Sequence, residues 1–306
     1  MKNVLFFFAI LLFTASCVSP ADDGTTTGTV VTKPTVPASS TATSADYSIA
    51  LESAFRKIPQ SAIDKAKSDL RIAFFHTSHG SRVIDGMDGL LRYKTGDAEK
   101  YAFTSDGSVV AGKLSIDDHN ADYGDLSTQE TLVDGHTQWY HTTKTYLDDP
   151  EHSHINVIMW SWCNPDGHDH QRYIDNMEAL IVEYPQVQFV FMTGHPNGDG
   201  EAAGNNSAYY CHDLISKHCK TNNRFLIDYW DIETHGMDNV YYPDANDDGV
   251  SGENSFYVDW MSSHVLGTDY FAGNVVHATQ PITGNRITYA SWWLWARLAG
   301  WDGVSQ

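Results

Sequence analysis

The amino-acid sequence predicts an α/β fold of three layers, with a mainly parallel central sheet between two layers of helices. Short apolar runs at residues 71–78, 155–163 and 187–195 lack the polar alternation of a half-exposed strand, as is typical of strands that are covered on both faces. An amphipathic segment follows each run. Strands that alternate with helices along one chain favour a parallel sheet with helices on both sides.

The individual elements follow from apolar periodicity and from turn residues. Apolar residues that return every three or four positions predict helices over residues 48–70, 80–94, 138–149, 172–185, 207–220 and 287–300. The predicted strands occupy residues 71–78, 155–163, 187–195 and 223–232. Residues 101–135 are rich in Gly, Asp and Ser, so we expect loops and short edge strands there.

The first 45 residues predict export and attachment to a membrane by a lipid. A basic start at Lys2, the apolar run VLFFFAILLF and small residues before Cys17 are typical of a secretory signal, and the run is shorter than the roughly 20 residues of a spanning helix. Cysteine after Ala-Ser is similar to the lipobox of bacterial lipoproteins, so we predict a signal peptide over residues 1–17 with lipidation at Cys17. Ordinary secretion with cleavage nearby is the alternative. Residues 18–45, rich in Thr, Ser and Pro, are predicted to be a disordered tether.

The remaining residues, 46–306, are expected to form one domain around one hydrophobic core. The formal net charge of −20 argues against nucleic-acid binding, which needs a basic surface. Aromatic residues make up 12% of the chain and fit a packed domain with a ligand-facing cleft, although they are core residues first.

Polar side chains follow the predicted strands at the point where each strand ends. Ser78 ends the first strand, Asn164 follows the second, His195 ends the third and Asp231 lies near the end of the fourth. Ligands of open parallel sheets bind outside the carboxyl ends of the strands, where these side chains meet. One polar strand end would be an ordinary turn, but four of them, carrying Ser, Asn and His, favour a site.

Taken in this order, these residues resemble the SGNH (GDSL-like) hydrolases, which are three-layer α/β/α esterases and acylhydrolases with a flavodoxin-like layout. The resemblance spans about residues 70–300 and implies that Ser78 is the nucleophile, at the start of a helix whose free N–H groups help to hold an oxyanion. It implies further oxyanion donors at Asn164 and Gly124. It also implies that His277, which precedes the last helix, is the base.

The sequence departs from the pattern of this family in two of its motifs. Only the serine of the family's Gly-Asp-Ser is present, so Ser81 is a rival nucleophile or the N-cap of the next helix. Asn274 stands where an aspartate would orient the imidazole of His277. His277 would then act with the serine as a dyad, be oriented by a backbone carbonyl, or use another carboxylate, for which Asp231 and Asp269 are the candidates.

Three more side chains at predicted strand ends are expected to bind the substrate, namely His76, Trp162 and His195. His195 could instead help to form the oxyanion pocket. A histidine after Thr-Gly is equally typical of a loop residue whose hydrogen bonds are all made within the protein.

Two segments have the spacing of metal ligands. Asp244, Asn246 and Asp248 match the opening of a calcium-binding loop, but the glutamate of its twelfth position is missing, so at most a structural calcium is expected. His168 and His170 raise the possibility of a metal-dependent hydrolase. A Pro-Asp-Gly turn precedes them and a helix follows, where positions two apart diverge, and no HExxH motif supports zinc.

The cysteines other than Cys17 are Cys163, Cys211 and Cys219. Three thiols cannot all pair within one chain. A spacing of eight residues on one straight helix would put Cys211 and Cys219 too far apart for a disulfide. Their disulfide state stays open.

These observations predict a secreted serine esterase that hydrolyses an acyl ester and requires no cofactor. O-acetyl groups on a carbohydrate are the substrate that the resemblance suggests, with a small-molecule or polysaccharide ester as the expected partner. The predicted location is a bacterial membrane, facing the periplasm or the cell surface. One alternative is a catalytically inactive, surface-anchored carbohydrate-binding protein on the same fold, and a second is a metal-dependent hydrolase.

Overall fold

A computed structural model describes residues 43–273 and 276–303 of the protein. The predicted signal peptide, Cys17, the tether up to residue 42 and Asn274 lie outside the described residues. Within the described residues, no helix is both long enough and apolar enough to cross a membrane.

The strands of the described residues form one large sheet and two hairpins. In chain order they are β1 (Ser44–Ala45), β2 (Arg71–His76), β3 (Phe103–Thr104), β4 (Leu114–Asn120), β5 (Leu132–Val133), β6 (His136–Thr137), β7 (Val157–Trp160), β8 (Gln188–Met192), β9 (Phe225–Ile227), β10 (Val250–Ser251) and β11 (Asn254–Ser255). The large sheet has the order β1-β9-β8-β7-β2-β4-β3, and each neighbouring pair in it is parallel. The hairpins pair β5 with β6 and β10 with β11.

Helices connect these strands. They are α1 (Glu52–Phe55), α2 (Gln60–Asp69), α3 (Ser81–Leu90), α4 (Asp97–Lys100), α5 (Gln138–Asp148), α6 (His170–Glu183), α7 (Ala208–Asn222), α8 (Tyr229–Glu233), α9 (Phe256–Ser262) and α10 (Pro281–Leu298). Short 3-10 helices cover Ser78–Gly80, Pro150–His152 and Glu201–Ala203.

The side chains of the central strands alternate between two hydrophobic clusters, one on each face of the sheet. On β2, Ile72 and Phe74 belong to the cluster that contains apolar residues of α2, α3 and α10. Ala73 and Phe75 belong to the cluster that contains residues of α5, α6 and α7. Because successive strand residues point to opposite faces, each face carries its own layer of helices. The predicted three-layer α/β/α fold is confirmed.

β4 corrects the prediction for residues 101–135, which were expected to form loops and short edge strands. β4 pairs with β2 along the whole length of β2 and has β3 on its other side, so it is not an edge strand. Its second half is polar, which is why no apolar run marks it. These polar groups find partners beside the sheet, since Asp118 lies 2.6 Å from His76 and Asp117 lies 3.1 Å from His119.

Two predicted boundaries also differ. The predicted helix over residues 48–70 is two helices, because Pro59 interrupts it and stands at the N-cap of α2. The predicted strand over residues 223–232 ends at Ile227. Asp228 then caps α8 by accepting the N–H of Asp231, so the last residues of this segment are helical.

The carboxyl ends of β2, β7 and β8 lie side by side, because these strands are neighbours in the sheet. Phe75 of β2 is paired with Trp160 of β7, so Ser78 and Cys163 each lie three residues beyond a paired position. His195 leaves the sheet next to them, after β8. The sheet thus brings a hydroxyl, a thiol and an imidazole to one edge.

Candidate active site

Ser78 lies at this edge of the sheet, two residues after β2. It begins the 3-10 helix Ser78–Gly80, which leads directly into α3, and its side chain is half-buried. Its Oγ makes no hydrogen bond to any described residue. The first backbone N–H groups of a helix have no carbonyl of a preceding turn to donate to. The free hydroxyl of Ser78 therefore lies beside backbone N–H groups that can still donate hydrogen bonds.

The turn that carries Ser78 requires glycine at position 80, and it buries Ser81, the rival nucleophile. A Cβ at Gly80 would lie 2.3 Å from Cβ of His76 and 2.5 Å from Oγ of Ser161, which is closer than real atoms approach. Ser81 is 6% exposed, and the N-cap of α3 is Gly80 rather than Ser81. The capping role predicted for Ser81 is therefore wrong, and Ser78 is the more accessible hydroxyl of the two.

Three imidazoles meet next to Ser78, and we call them the histidine stack. The ring of His79 stacks on that of His195, with centroids 3.8 Å apart and planes 8° apart. It also stacks on the ring of His277, at 4.7 Å and 20°. His79 is buried whereas His277 is exposed. The structure thus brings His277, nearly 200 residues away along the chain, against the residue that follows Ser78.

His79 joins the histidine stack to a carboxylate and a thiol. Its Nε2 lies 3.3 Å from Oδ2 of Asp247, and its Nδ1 lies 3.4 Å from Sγ of Cys163. A carboxylate only accepts hydrogen bonds, so we assign the proton to Nε2, and Nδ1 then accepts from the thiol. Burial lowers the pKa of His79 to about 4, although the hydrogen bond to Asp247 acts in the opposite direction. The ring is therefore neutral at neutral pH.

Arg82 holds Asp247 from the other side. The side chain of Arg82 is fully buried, and its Nη1 donates to Oε1 of Glu233 at 2.6 Å while its Nη2 donates to Oδ2 of Asp247. Burial acts to raise the pKa of Asp247, but the hydrogen bond from His79 and the charge of Arg82 outweigh it and hold that pKa below its ordinary value. Burial raises the pKa of Glu233 to about 7 against the charge of Arg82. Asp247 rather than Glu233 therefore carries the charge that balances Arg82.

The segment that carries His277 is tied down on both sides of the imidazole. Nε and Nη2 of Arg82 both donate to the carbonyl of Val276, at 3.3 Å each. Oγ1 of Thr279 donates to Oδ1 of Asp248 at 2.9 Å. The backbone of His277 has a φ of +67°, which few residues with a side chain adopt, so these bonds hold an otherwise unfavourable conformation.

Neither carboxylate that was a candidate to orient His277 contacts it. Oδ2 of Asp231 accepts the N–H of Tyr47 at 2.9 Å, and Oδ2 of Asp269 accepts the N–H of Val265 at 2.8 Å. Among the described residues, the ring of His277 makes no hydrogen bond. The carboxylate of this site is Asp247, and it serves His79.

Of the two predicted oxyanion donors, one is free to donate. Oδ1 of Asn164 accepts the N–H of Asp166 at 3.1 Å, and its Nδ2 makes no hydrogen bond to a described residue. The N–H of Gly124 instead donates to the carbonyl of Ala121 at 3.4 Å, in a turn where Gly124 has a φ of +74°. Turn geometry therefore accounts for Gly124, and the side-chain amide of Asn164 remains available to a ligand.

Two of the three predicted substrate-binding residues are buried. Trp162 is 1% exposed and its Nε1 donates to the carbonyl of Met192, while His76 is 0% exposed. This burial corrects the prediction that these two side chains contact a substrate. Nε2 of His195 lies 3.0 Å from the carbonyl of Cys163, and its Nδ1 lies 3.0 Å from the carbonyl of Pro196. Burial lowers the pKa of His195, and a neutral imidazole has a single N–H, so His195 donates to one of these two carbonyls.

The segment with the spacing of a calcium loop is closed by hydrogen bonds from the protein itself. Ser251 donates to Oδ1 of Asp244, the N–H groups of Asp248 and Val250 donate to Oδ1 of Asn246, and Thr279 donates to Asp248. The loop thereby turns the intervening Asp247 inward, which the sequence did not indicate. These bonds close the loop without an ion, and whether it also binds calcium is untested.

The two histidines that the sequence suggested as metal ligands bind other groups of the protein. Nδ1 of His168 lies 2.6 Å from Glu130, and Nε2 of His170 lies 2.8 Å from the carbonyl of Pro165. Among the described residues, ligand atoms of His79, His195 and Asp247 lie within 4.8 Å of one another, and so do those of His79, Cys163 and His277. A nitrogen lone pair lies in the plane of its ring, so two rings that are stacked face to face direct their lone pairs past each other.

Comparisons with known proteins identify no family for the chain. No protein-family model matches the chain, and a search of curated proteins found no match. Among solved structures, the chain is similar to a "putative acylhydrolase" from Bacteroides fragilis NCTC 9343, with 10% identity, a TM-score of 0.32, and coverage of 68% of this chain and 88% of that one. A similarity this distant carries no argument about activity.

Proposed function

We propose that the protein hydrolyses carboxylic esters with Ser78 as the nucleophile and His277 as the base. The observation that carries this proposal is the stacking of His277 on His79, with ring centroids 4.7 Å apart, because His79 directly follows Ser78. Serine hydrolysis requires at least a hydroxyl within reach of an imidazole, and this stacking supports such a pair.

The mechanism that we propose has two steps. His277 takes the proton of Ser78 as its Oγ attacks the ester carbonyl, and the alcohol leaves with that proton. Water then hydrolyses the acyl-enzyme with His277 again as the base. Nδ2 of Asn164 and the first N–H groups of the 3-10 helix Ser78–Gly80 hold the oxyanion, a contribution of a few kcal/mol in such sites.

No carboxylate of the described residues hydrogen-bonds to His277, so the proposed pair is a dyad. Arg82 and Asp248 take over the positioning, since they fix the backbone on either side of the imidazole. A dyad lacks the electrostatic support that an aspartate gives the cationic imidazole, so we expect slower turnover than a full triad supports.

The substrate class in this proposal is an O-acyl ester of a carbohydrate, with O-acetyl as the first choice. Its support is the predicted lipoprotein signal at Cys17, which would hold the protein at a bacterial surface that is rich in polysaccharide. The proposed reaction requires no metal or organic cofactor.

The test is turnover of p-nitrophenyl acetate by the wild type, Ser78→Ala and Ser81→Ala. Ser81 is a matched control, because it lies in the next turn of the same segment and is buried. We expect Ser78→Ala to lose activity on the order of 10³-fold or more and Ser81→Ala to retain it. Equal activity of the wild type and Ser78→Ala would overturn the assignment of Ser78. No activity in any of the three would favour the inactive carbohydrate-binding protein.

A further inference from the structure

Cys163 is a thiol at the same edge of the sheet as Ser78. Cys163 lies three residues after Trp160 of β7, and Ser78 lies three residues after Phe75, the residue of β2 that pairs with Trp160. The side chain of Cys163 is half-buried. The other cysteines of the described residues, Cys211 and Cys219, are 0% exposed in the core, and none of the three forms a disulfide. Cys163 is therefore the thiol that a ligand at this edge would meet.

The surroundings of Cys163 form a relay of thiol, imidazole and carboxylate. Sγ of Cys163 lies 3.4 Å from Nδ1 of His79, and Nε2 of His79 lies 3.3 Å from Asp247. Because Asp247 fixes the proton on Nε2, the lone pair of Nδ1 faces the thiol. A nucleophile, a base and a group that orients the base are the parts of an activated nucleophile, and here they come from three distant segments.

The side chains of His195 and Arg82 hold the relay in place. Nε2 of His195 lies 3.0 Å from the carbonyl of Cys163, and the ring of His195 stacks on that of His79. Arg82 anchors Asp247. The thiol and the imidazole are thus fixed relative to each other by contacts that a surface cysteine does not have.

We propose that Cys163 is a second nucleophile, which His79 and Asp247 activate, and that it forms a thioester with acyl donors. The proton of the thiol passes to Nδ1 of His79 as Sγ attacks the carbonyl carbon of an acyl ester. The bond between that carbon and the alcohol oxygen then breaks, and the alcohol leaves with the proton from His79. Hydrolysis of the thioester by water, which gives the free acid and restores the thiol, is slow, so the acyl group accumulates on Cys163 and adds little to ester turnover.

This role does not depend on the one proposed for Ser78. The thiol uses His79 as its base, whereas the hydroxyl uses His277. The chemical class of the donor is the same, an activated carboxylic ester, so one substrate can report on both nucleophiles.

The experiment exposes the wild type, Ser78→Ala and Cys163→Ala to p-nitrophenyl acetate and locates acetyl groups by mass spectrometry of the intact protein and of its peptides. We expect Ser78→Ala to carry one acetyl group on Cys163, which neutral hydroxylamine removes as it removes thioesters. Cys163→Ala should lack it, and Cys219→Ala, the control for loss of a thiol, should keep it.

Two relay variants separate an activated thiol from one that is merely exposed. His79→Gln and Asp247→Asn should each slow acetylation of Cys163 on the order of tenfold, less than loss of a base of ordinary pKa, because burial lowers the pKa of His79 to about 4. A thermal melt of each variant checks that it is folded. If a relay variant does not fold, the test is instead the rate at which Cys163 of the wild type is acetylated, compared with the rate for free cysteine. An activated thiol should react at least tenfold faster than free cysteine.

The outcomes separate this proposal from the proposed esterase. Absence of acetyl on Cys163, or acetylation at the rate of free cysteine, overturns the second nucleophile even if Ser78→Ala has lost turnover. Acetylation of Cys163 together with full turnover in Ser78→Ala supports the thiol and overturns the assignment of Ser78.

Discussion

The carboxylate of Asp247 accepts hydrogen bonds from two side chains that precede it by more than 160 residues, the imidazole of His79 at 3.3 Å and the buried guanidinium of Arg82. This contact ties the loop between α8 and α9 to the turn that carries Ser78. The stability of the candidate site and the chemistry proposed for it would therefore depend on the same carboxylate.

Replacement of Asp247 by alanine should destabilise the fold. The change leaves Arg82 buried with Glu233 as its remaining carboxyl partner, and a buried charge that loses a partner typically costs about 3 kcal/mol. Urea unfolding of wild type and Asp247→Ala measures this difference. Asp122→Ala is the matched control, because the side chain of Asp122 is 71% exposed and should change stability little. Equal losses in both variants would contradict the prediction.

Glu233 should make the protein less stable as the pH rises through its folded-state pKa. Burial raises this pKa from 4.5 to about 7, so the folded state holds the proton more tightly than the unfolded state does. The contribution of Glu233 is then fully present below about pH 4.5 and is lost as the pH approaches about 7.

Glu233→Gln isolates this contribution, since glutamine is a neutral side chain of the same shape. The free energy of unfolding of the wild type, relative to that of Glu233→Gln, should fall between pH 5 and pH 8. Comparison with the variant cancels the opposite trend that His79, with its lowered pKa, contributes in the acidic range. A difference that does not change with pH would refute the raised pKa.

Gly80→Ala should displace the turn that carries Ser78. The new methyl group would meet Cβ of His76 at 2.3 Å and Oγ of Ser161 at 2.5 Å, and both belong to central strands or their ends. Overpacking of this kind costs about 2 kcal/mol, and we expect ester hydrolysis to fall with it. Gly273→Ala is the control, because a methyl group there meets nothing nearer than 3.8 Å. Melting temperature and turnover of the two variants decide the matter.

Calcium should have little effect on the loop at Asp244, Asn246 and Asp248. Oδ1 of each side chain accepts a hydrogen bond from the protein, so the loop is closed without an ion. Addition of calcium or of a chelator should therefore shift the melting temperature by less than about 2 °C. A larger, saturable rise with calcium would instead establish a structural calcium site.

The sequence predicted the layers of the fold because the buried strands are apolar on both faces. β7 and β8, whose side chains alternate between the two clusters, were recognisable for this reason. β4 was not, because Asp117, Asp118 and His119 find partners only after the chain has folded. Its polar composition is typical of a loop until the neighbouring strand is known.

The sequence predicted mainly those residues of the candidate site that follow recognisable strands. Ser78 and Asn164 follow strands that the sequence marks clearly, and the order of the chain indicated His277. His79 and Asp247, which are 168 residues apart, come together through the shape of a loop that looked like a calcium site. No local sequence pattern predicts a contact between residues so far apart. The spacing of the acidic residues instead pointed to Asp244, Asn246 and Asp248, which surround Asp247, as calcium ligands.

β2 and β7 are hydrogen-bonded neighbours, so backbone geometry keeps the starting points of their two loops about 4.8 Å apart. His277 lies in the loop before α10, and its position depends on the side-chain contacts that Arg82 and Asp248 make with Val276 and Thr279 rather than on a strand pair. Gentle heating or a low dose of denaturant should therefore loosen the imidazole before it separates the hydroxyl from the thiol. Ester turnover through Ser78 would then be lost at a lower temperature than acetylation of Cys163 in the same molecule.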